Sequence, residues 1–115
     1  NGSIYLLTSY IKDQSKRIKL RITVVNKQGT VLADSVEDPQ KMDNHRLRPE
    51  IKKAIINKVV DSSVRYSETL GKGMLYVARP LVEGNKIIGE IEYIEPLKNN
   101  KEENINKTIN WIKNL

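Results

Sequence analysis

Reactive side chains are few and widely separated in this chain. There is one histidine, His45, and no cysteine. A Ser-His-Asp device would need that imidazole beside a serine and a carboxylate. Ser35, Ser62, Ser63 and Ser67 are present, but none sits in the strained Gly-x-Ser-x-Gly turn that exposes a nucleophile. Zinc sites draw on clustered histidine and cysteine, which are missing. Asp34, Glu37, Asp38 and Asp43 crowd one polar stretch, yet without the alternate spacing and central glycine of a calcium loop. Gly71-Lys72-Gly73 is too short to cradle a phosphate and reads as a hairpin turn. We therefore assign no catalytic and no metal-binding residue. The remaining chemistry is anion recognition, since Arg46, Arg48, Arg65 and Arg79 carry guanidinium groups that grip a carboxylate or phosphate through paired N–H donors. The competing use of Arg48 and Arg65 is to pair with Asp34, Asp43 or Glu50 and pin the polar stretch. His45 likewise reads as a loop-holding group or as a ligand contact.

The elements that must position these residues follow from hydrophobic spacing. Ile4, Leu7, Ile11 and Ile18 share one helical stripe, with the isoleucines seven apart. That stripe fits either an amphipathic helix packed on its own sheet or the seam of a dimer. Residues 20–25 alternate as a strand, Leu20, Ile22 and Val24 on one face and Arg21, Thr23 and Val25 on the other. The turn Asn26-Lys27-Gln28-Gly29 returns the chain into a second strand at 30–33. A polar excursion then runs from Asp34 to Leu47, long enough to suggest a task of its own. Pro49 suits the first position of a helix and Glu50 its positive end, with Ile51, Ala54, Ile55 and Val59 as the buried stripe. Strands at 64–67, 74–81 and 86–93 follow. Pro96 ends the last, and Ile105, Ile109, Ile112 and Leu115 mark a terminal helix with Trp111 alongside.

Composition bounds the outcome. The 115 residues suffice for one core. Hydrophobic residues make up 38% and charged residues 30%, with no Phe and one Trp, so the core rests on Ile, Leu and Val. No run approaches the roughly 20 apolar residues of a membrane span. The net charge is +6, but its lysines and arginines are dispersed among acids, so nucleic acid is not expected as a partner. The expected fold class is α+β: a PAS-like five-stranded antiparallel sheet with a long N-terminal helix, a central helix on one face and a C-terminal helix. We expect one domain over 1–115, with the N-terminal helix at 1–19, sheet and central helix at 20–95, and the helical C-terminal segment at 96–115.

Three segments, in a fixed order, carry a family resemblance. They are Asp34-Ser35 followed by Met42-Asp43-Asn44-His45-Arg46-Leu47-Arg48-Pro49-Glu50-Ile51, then Arg65-Tyr66-Ser67-Glu68-Thr69-Leu70, then Met74-Leu75-Tyr76-Val77-Ala78-Arg79-Pro80-Leu81. Over residues 21–89 the chain resembles the PAS-like (Cache-type) sensor region of PhoR-type bacterial sensor histidine kinases. The resemblance implies a domain on the outer face of the bacterial cell membrane, in a two-component kinase answering phosphate limitation. It implies a homodimer, with Ile4, Leu7, Ile11 and Ile18 as the candidate interface. It also implies no cofactor in the domain itself, but ATP, magnesium and a cognate response regulator for the kinase beyond it. Related sensors hold small organic acids between sheet and long loop, which makes His45, Arg48, Arg65, Tyr66, Tyr76 and Arg79 the candidate pocket for a small anionic ligand. A cell-envelope partner is the other expected signal. Glu90, Glu92 and Glu95 depart from the family, which has apolar or basic residues there. The rival readings are a Cache module of a chemoreceptor or cyclic-dinucleotide signalling protein and, from another class, a small soluble ligand-binding protein or hydrolase.

Overall fold

A computed structural model describes residues 2–68, 71–97 and 101–115, with the side chains of Ile4 and Lys101 set aside. Thr69 and Leu70 of the second resemblance segment, the linker residues Lys98, Asn99 and Asn100, and the side chain of Ile4 in the candidate seam lie outside the described residues. The elements are α1 (Gly2–Ile18), β1 (Arg21–Asn26), β2 (Val31–Asp34), a short 3-10 turn (Pro39–Lys41), α2 (Pro49–Asn57), β3 (Asp61–Ser67), β4 (Lys72–Glu83), β5 (Lys86–Pro96) and α3 (Lys101–Lys113). Five strands form one sheet in the order β2-β1-β5-β4-β3, with each neighbouring pair antiparallel.

Strand alternation gives the sheet two unlike faces. Ile22, Val24, Ala33, Leu75, Val77 and Tyr93 point to one side, where Ile11 of α1 and Ile112 of α3 close the main core. Val25, Val31 and Ala78 point to the other, where Ile51 and Ala54 of α2 cover them in a smaller apolar cluster. The second face is the polar one, because its remaining positions hold Thr23, Asp34, Glu90 and Glu92, all buried.

Ile11 is 2% exposed and belongs to the main core, with Leu7 and Ile18 packed beside it. Leu7, Ile11 and Ile18 therefore face their own sheet, the packing role that the stripe allowed beside a seam between two copies. The exposed large side chains of α1 are Tyr5, Leu6 and Tyr10, each more than half exposed, with Tyr5 and Tyr10 at the two flanks of the helix. The predicted stripe of α2 is also shorter than expected. Lys58 takes the left-handed conformation (φ 57°) and ends the helix, leaving Val59 outside it and 51% exposed. Strand β3 begins three residues before the expected start at Val64, and β5 runs on to Pro96.

Two glycines fit their places for steric reasons. Gly29 has φ +86°, and a Cβ there would come within 2.5 Å of Arg46 N and Asn44 Oδ1. The loop thus lies directly on the β1–β2 turn, where His45 N donates to Gly29 O at 2.8 Å. The Asn44 amide also donates to Gln28 O at 3.1 Å and its Oδ1 accepts from Arg46 N at 2.8 Å. At Gly89, a Cβ would stand 2.3 Å from Val25 O, so the absence of a side chain lets β1 and β5 close up.

Candidate functional site

The polar stretch after β2 folds back over the second face and closes a cleft of about 230 Å³. Its floor is Thr23, Tyr76, Glu92 and Ile94 from three adjacent strands, and its rim is Arg21, Glu37, Lys41, Met42, Asp43, His45 and Arg48. The hinge of the loop is Asp34. Its carboxylate accepts from the Thr23 hydroxyl, from Arg21 Nε at 3.2 Å, and from the amides of Val36 and Glu37 at 2.9 and 2.8 Å. Burial pushes this carboxyl up, but the Thr23 hydroxyl, the two amides and Arg21 outweigh it and hold Asp34 below its usual range. Arg21 also reaches Glu37 at 3.6 Å. Loop and sheet edge are thereby tied by one ionised group.

A second network lies deeper, where α2 begins. Pro49 opens that helix and Glu50 follows in its first turn, fully buried. Glu50 accepts from Ser63 Oγ at 2.7 Å and from both terminal nitrogens of Arg65. The Arg65 guanidinium also lies 3.6 Å from the centroid of the Tyr76 ring. Glu92 points at the same place from β5. Burial and the neighbouring Glu50 drive its pKa well up and favour the neutral acid, and neither of its oxygens has a hydrogen-bond partner among the described residues. Burial opposes ionisation of Glu50 as well, but the neighbouring Glu92 together with the bonds from Arg65 and Ser63 holds it well below its usual range.

His45 completes the site. Its Nδ1 is 3.4 Å from Glu92 Oε1, a distance suited to an ion pair. Neither group is charged, however, because burial and the nearby Arg48 push the imidazole down to about 4. Nδ1 is buried and makes no hydrogen bond, so the ring lines the cleft with unused capacity. Among the described residues Arg48 has no ion pair, in contrast to Arg21 and Arg65. The hollow is thus rimmed by Arg21, Lys41 and Arg48 together with Glu37 and Asp43, and burial favours the neutral forms of Glu92 and His45 at its base. It contains no serine or cysteine nucleophile, and among the described residues no group of three or more His, Cys, Asp or Glu could hold a metal ion.

Of the six candidate pocket residues, the fold brings His45, Arg48 and Tyr76 to the cleft and sets Arg65 behind them as a support. Tyr66 and Arg79 lie elsewhere. Ser63 and Arg65 share the cleft face of β3, so Tyr66 between Arg65 and Ser67 points away and is 67% exposed. Arg79 similarly follows Ala78 onto the opposite face, where it lines a hollow with Tyr93 and Ile11 of α1. The period of two separates them from the cleft. Sequence reasoning missed Thr23, Lys41 and Glu92 as site residues. The signal existed for Glu92, because Glu90 and Glu92 occupy inward positions of a strand that otherwise buries apolar residues.

A larger groove of about 660 Å³ runs between α1 and the β2 edge, lined mainly by Tyr5, Thr8, Val31, Leu32, Pro39 and Met42. Its Asp38 and Asn44 are already used in a cap and a loop clasp, so it offers little directed chemistry.

Known proteins agree with this architecture. The sensor domain of the Vibrio cholerae histidine kinase DctB superposes with TM-score 0.66 at 19% identity, over 81% of this chain and 37% of that one. A sensory box sensor histidine kinase from Vibrio cholerae gives TM-score 0.53 at 9% identity, over 84% and 97% of the two chains. At such identities the likeness concerns the fold, and the chain spans little more than a third of the DctB structure. No curated protein sequence matches. The chain is a sensor domain rather than a catalytic one, because residues 7–96 match the Cache_WalK model, the Cache domain of WalK sensor protein kinases, and the chain belongs to that family.

Proposed function

We propose that this domain is the extracytoplasmic, signal-receiving part of a membrane-bound two-component histidine kinase, and that the cleft beneath residues 35–48 receives a small anion. The carrying observation is the coincidence in one hollow of Arg48, which has no ion pair among the described residues, a buried His45 whose Nδ1 faces Glu92, and a floor closed by three strands. Guanidinium groups favour carboxylate and phosphate, and a hollow this small suits a compact ligand. The kinase assignment rests on the family, which makes the chemoreceptor and cyclic-dinucleotide readings the weaker ones. The PhoR branch, and with it phosphate limitation, has only the three segments in its favour, whereas the family match points to WalK. Nothing in the site supports hydrolysis.

In this reading the kinase beyond the domain uses ATP and magnesium and phosphorylates a response regulator, and the domain works as a homodimer. The exposed Tyr5, Leu6 and Tyr10 of α1 support a dimer surface better than the inward stripe does. No helix among the described residues is long and apolar enough to cross a membrane. The membrane location therefore rests on the family. A thermal-shift screen with inorganic phosphate and small carboxylates tests the cleft, since a ligand of the native state raises Tm. A ligand whose stabilisation survives Arg48→Gln unchanged would bind somewhere else.

A further inference from the structure

The cleft shares its base with an acid network that no simple anion site requires, and this bears on how its ligand is held. His45 faces charged or titratable groups from every neighbouring element. They are Arg48, Glu37, Lys41 and Asp43 on its own loop, Glu50 on α2, Arg21 on β1, Asp34 on β2, Arg65 on β3, Tyr76 on β4 and Glu92 on β5. Of these, Asp34 and Glu50 are already engaged by Arg21 and Arg65, Glu92 is held toward its neutral form by burial and by Glu50, and Asp43 and Glu37 lie exposed at the rim. Arg48, which has no ion pair among the described residues, is therefore the charge that bears most on the imidazole, and no ionised carboxylate at the base of the cleft offsets it. An anion beside Arg48 reverses that balance, because it screens the guanidinium and supplies the missing negative charge.

Resting on the anion-cleft reading above, we propose that the cleft binds a small carboxylate together with one proton, His45 becoming the imidazolium that faces the ligand. The carboxylate forms paired hydrogen bonds with Arg48. The proton comes from solvent and is lost again when the ligand leaves, so no bond is made or broken elsewhere. Protonated, the ring has two N–H donors, one toward Glu92 Oε1 at 3.4 Å and one for the ligand. Glu92 keeps its own proton and so accepts the imidazolium without becoming a competing anion for Arg48. A sensor built this way responds to the carboxylate and to acidity jointly, through a single site.

The test is calorimetric titration of the protein with acetate, lactate, succinate and glutarate at pH 7.5 and 5.5. With the bound imidazole returned to an ordinary histidine pKa, the dissociation constant falls about tenfold between the two. In buffers of different ionisation enthalpy the same titration shows close to one proton taken up per ligand at the lower pH. Equal affinity at both pH values overturns the proton coupling while sparing the carboxylate cleft. Absence of binding by all four acids at both pH values overturns the two readings together. Because His45 is the only histidine, the ¹⁵N shifts of its ring in the unaltered protein give a direct second measurement. A ring that stays neutral in the complex at pH 5.5 overturns the proposal. His45→Gln should retain the weaker affinity found at pH 7.5 and lose the rise at pH 5.5.

Discussion

Glu50 and Glu92 meet as anion and acid across the seam between α2 and β5. Two buried carboxyls side by side cannot both ionise, and the one served by Arg65 and Ser63 keeps the charge. The arrangement is stable only while Arg65 balances it. Arg65→Met should therefore lower unfolding free energy by about 2–4 kcal/mol, the order found when one partner of a buried pair is lost. Urea denaturation measures it. The double variant Arg65→Met with Glu50→Met should recover much of the loss, and simple additivity would contradict the coupling.

Glu90 and His45 give stability two opposing pH slopes. Burial alone raises Glu90 to about 7 from 4.5, so the native state holds more protons than the unfolded chain in that window, and stability falls as pH rises through it. His45 is depressed to about 4 from 6.5, so the unfolded chain holds more protons there, and stability falls as pH drops. Glu92, raised to about 9, adds a second slope of the same sign as Glu90, so between about pH 4.5 and 6.5 His45 offsets only one of the two carboxyls and stability falls as pH rises. Glu90→Met should remove one falling slope, leaving a stability nearly level from about pH 4.5 to 6.5 and above the parent by about 2–3 kcal/mol at pH 8. Guanidinium unfolding at pH 5, 6.5 and 8 distinguishes the curves, and parallel curves would refute the assignment to Glu90.

Substitutions on the two sides of α1 should separate folding from association. Ile11→Asp places an unpaired charge in the main core and should cost about 3–5 kcal/mol. Leu6→Asp alters an exposed position and should change stability by less than about 0.5 kcal/mol, whereas Tyr10→Asp, at the edge of the hollow with Tyr93, should cost about 1 kcal/mol. If the domain dimerises through the exposed side of α1, these two reduce its sedimenting mass at a given concentration. Unchanged mass would remove that side from consideration.

Gly29→Ala should loosen the loop over the cleft. The added methyl is strained at φ +86° and collides with Asn44 and Arg46, which hold the loop against the turn. A loss of about 2 kcal/mol is expected. Faster amide exchange at His45, whose N–H bonds Gly29 O, would show that the damage is local. Unaltered protection there would mean that the loop is anchored by Asp34 alone.

Much of the architecture was legible because strands and helices leave periodic traces. The alternation of Ile22 and Val24 against Arg21 and Thr23 marks two faces before any fold is known, and Pro49-Glu50 marks the start of α2. The site was less legible. Arg65 and Tyr66 are neighbours in sequence and point to opposite sides of β3, a distinction that depends on which face the loop covers. The stripe on α1 suited a sheet and a partner equally, since both demand the same apolar spacing.

Local chemistry by itself determined the β1–β2 turn, the opening of α2, the paired antiparallel strands and the absence of a nucleophile motif. Those properties depend on a few adjacent residues and on the short-range sterics of the backbone. Only the tertiary structure decided that burial drives Glu92 and His45 toward their neutral forms, and that Arg65 pairs with Glu50 while Arg48 has no ion pair among the described residues. These are properties of burial and of charges brought together from distant strands, and the spacing of residues along a chain does not encode distance through the sheet.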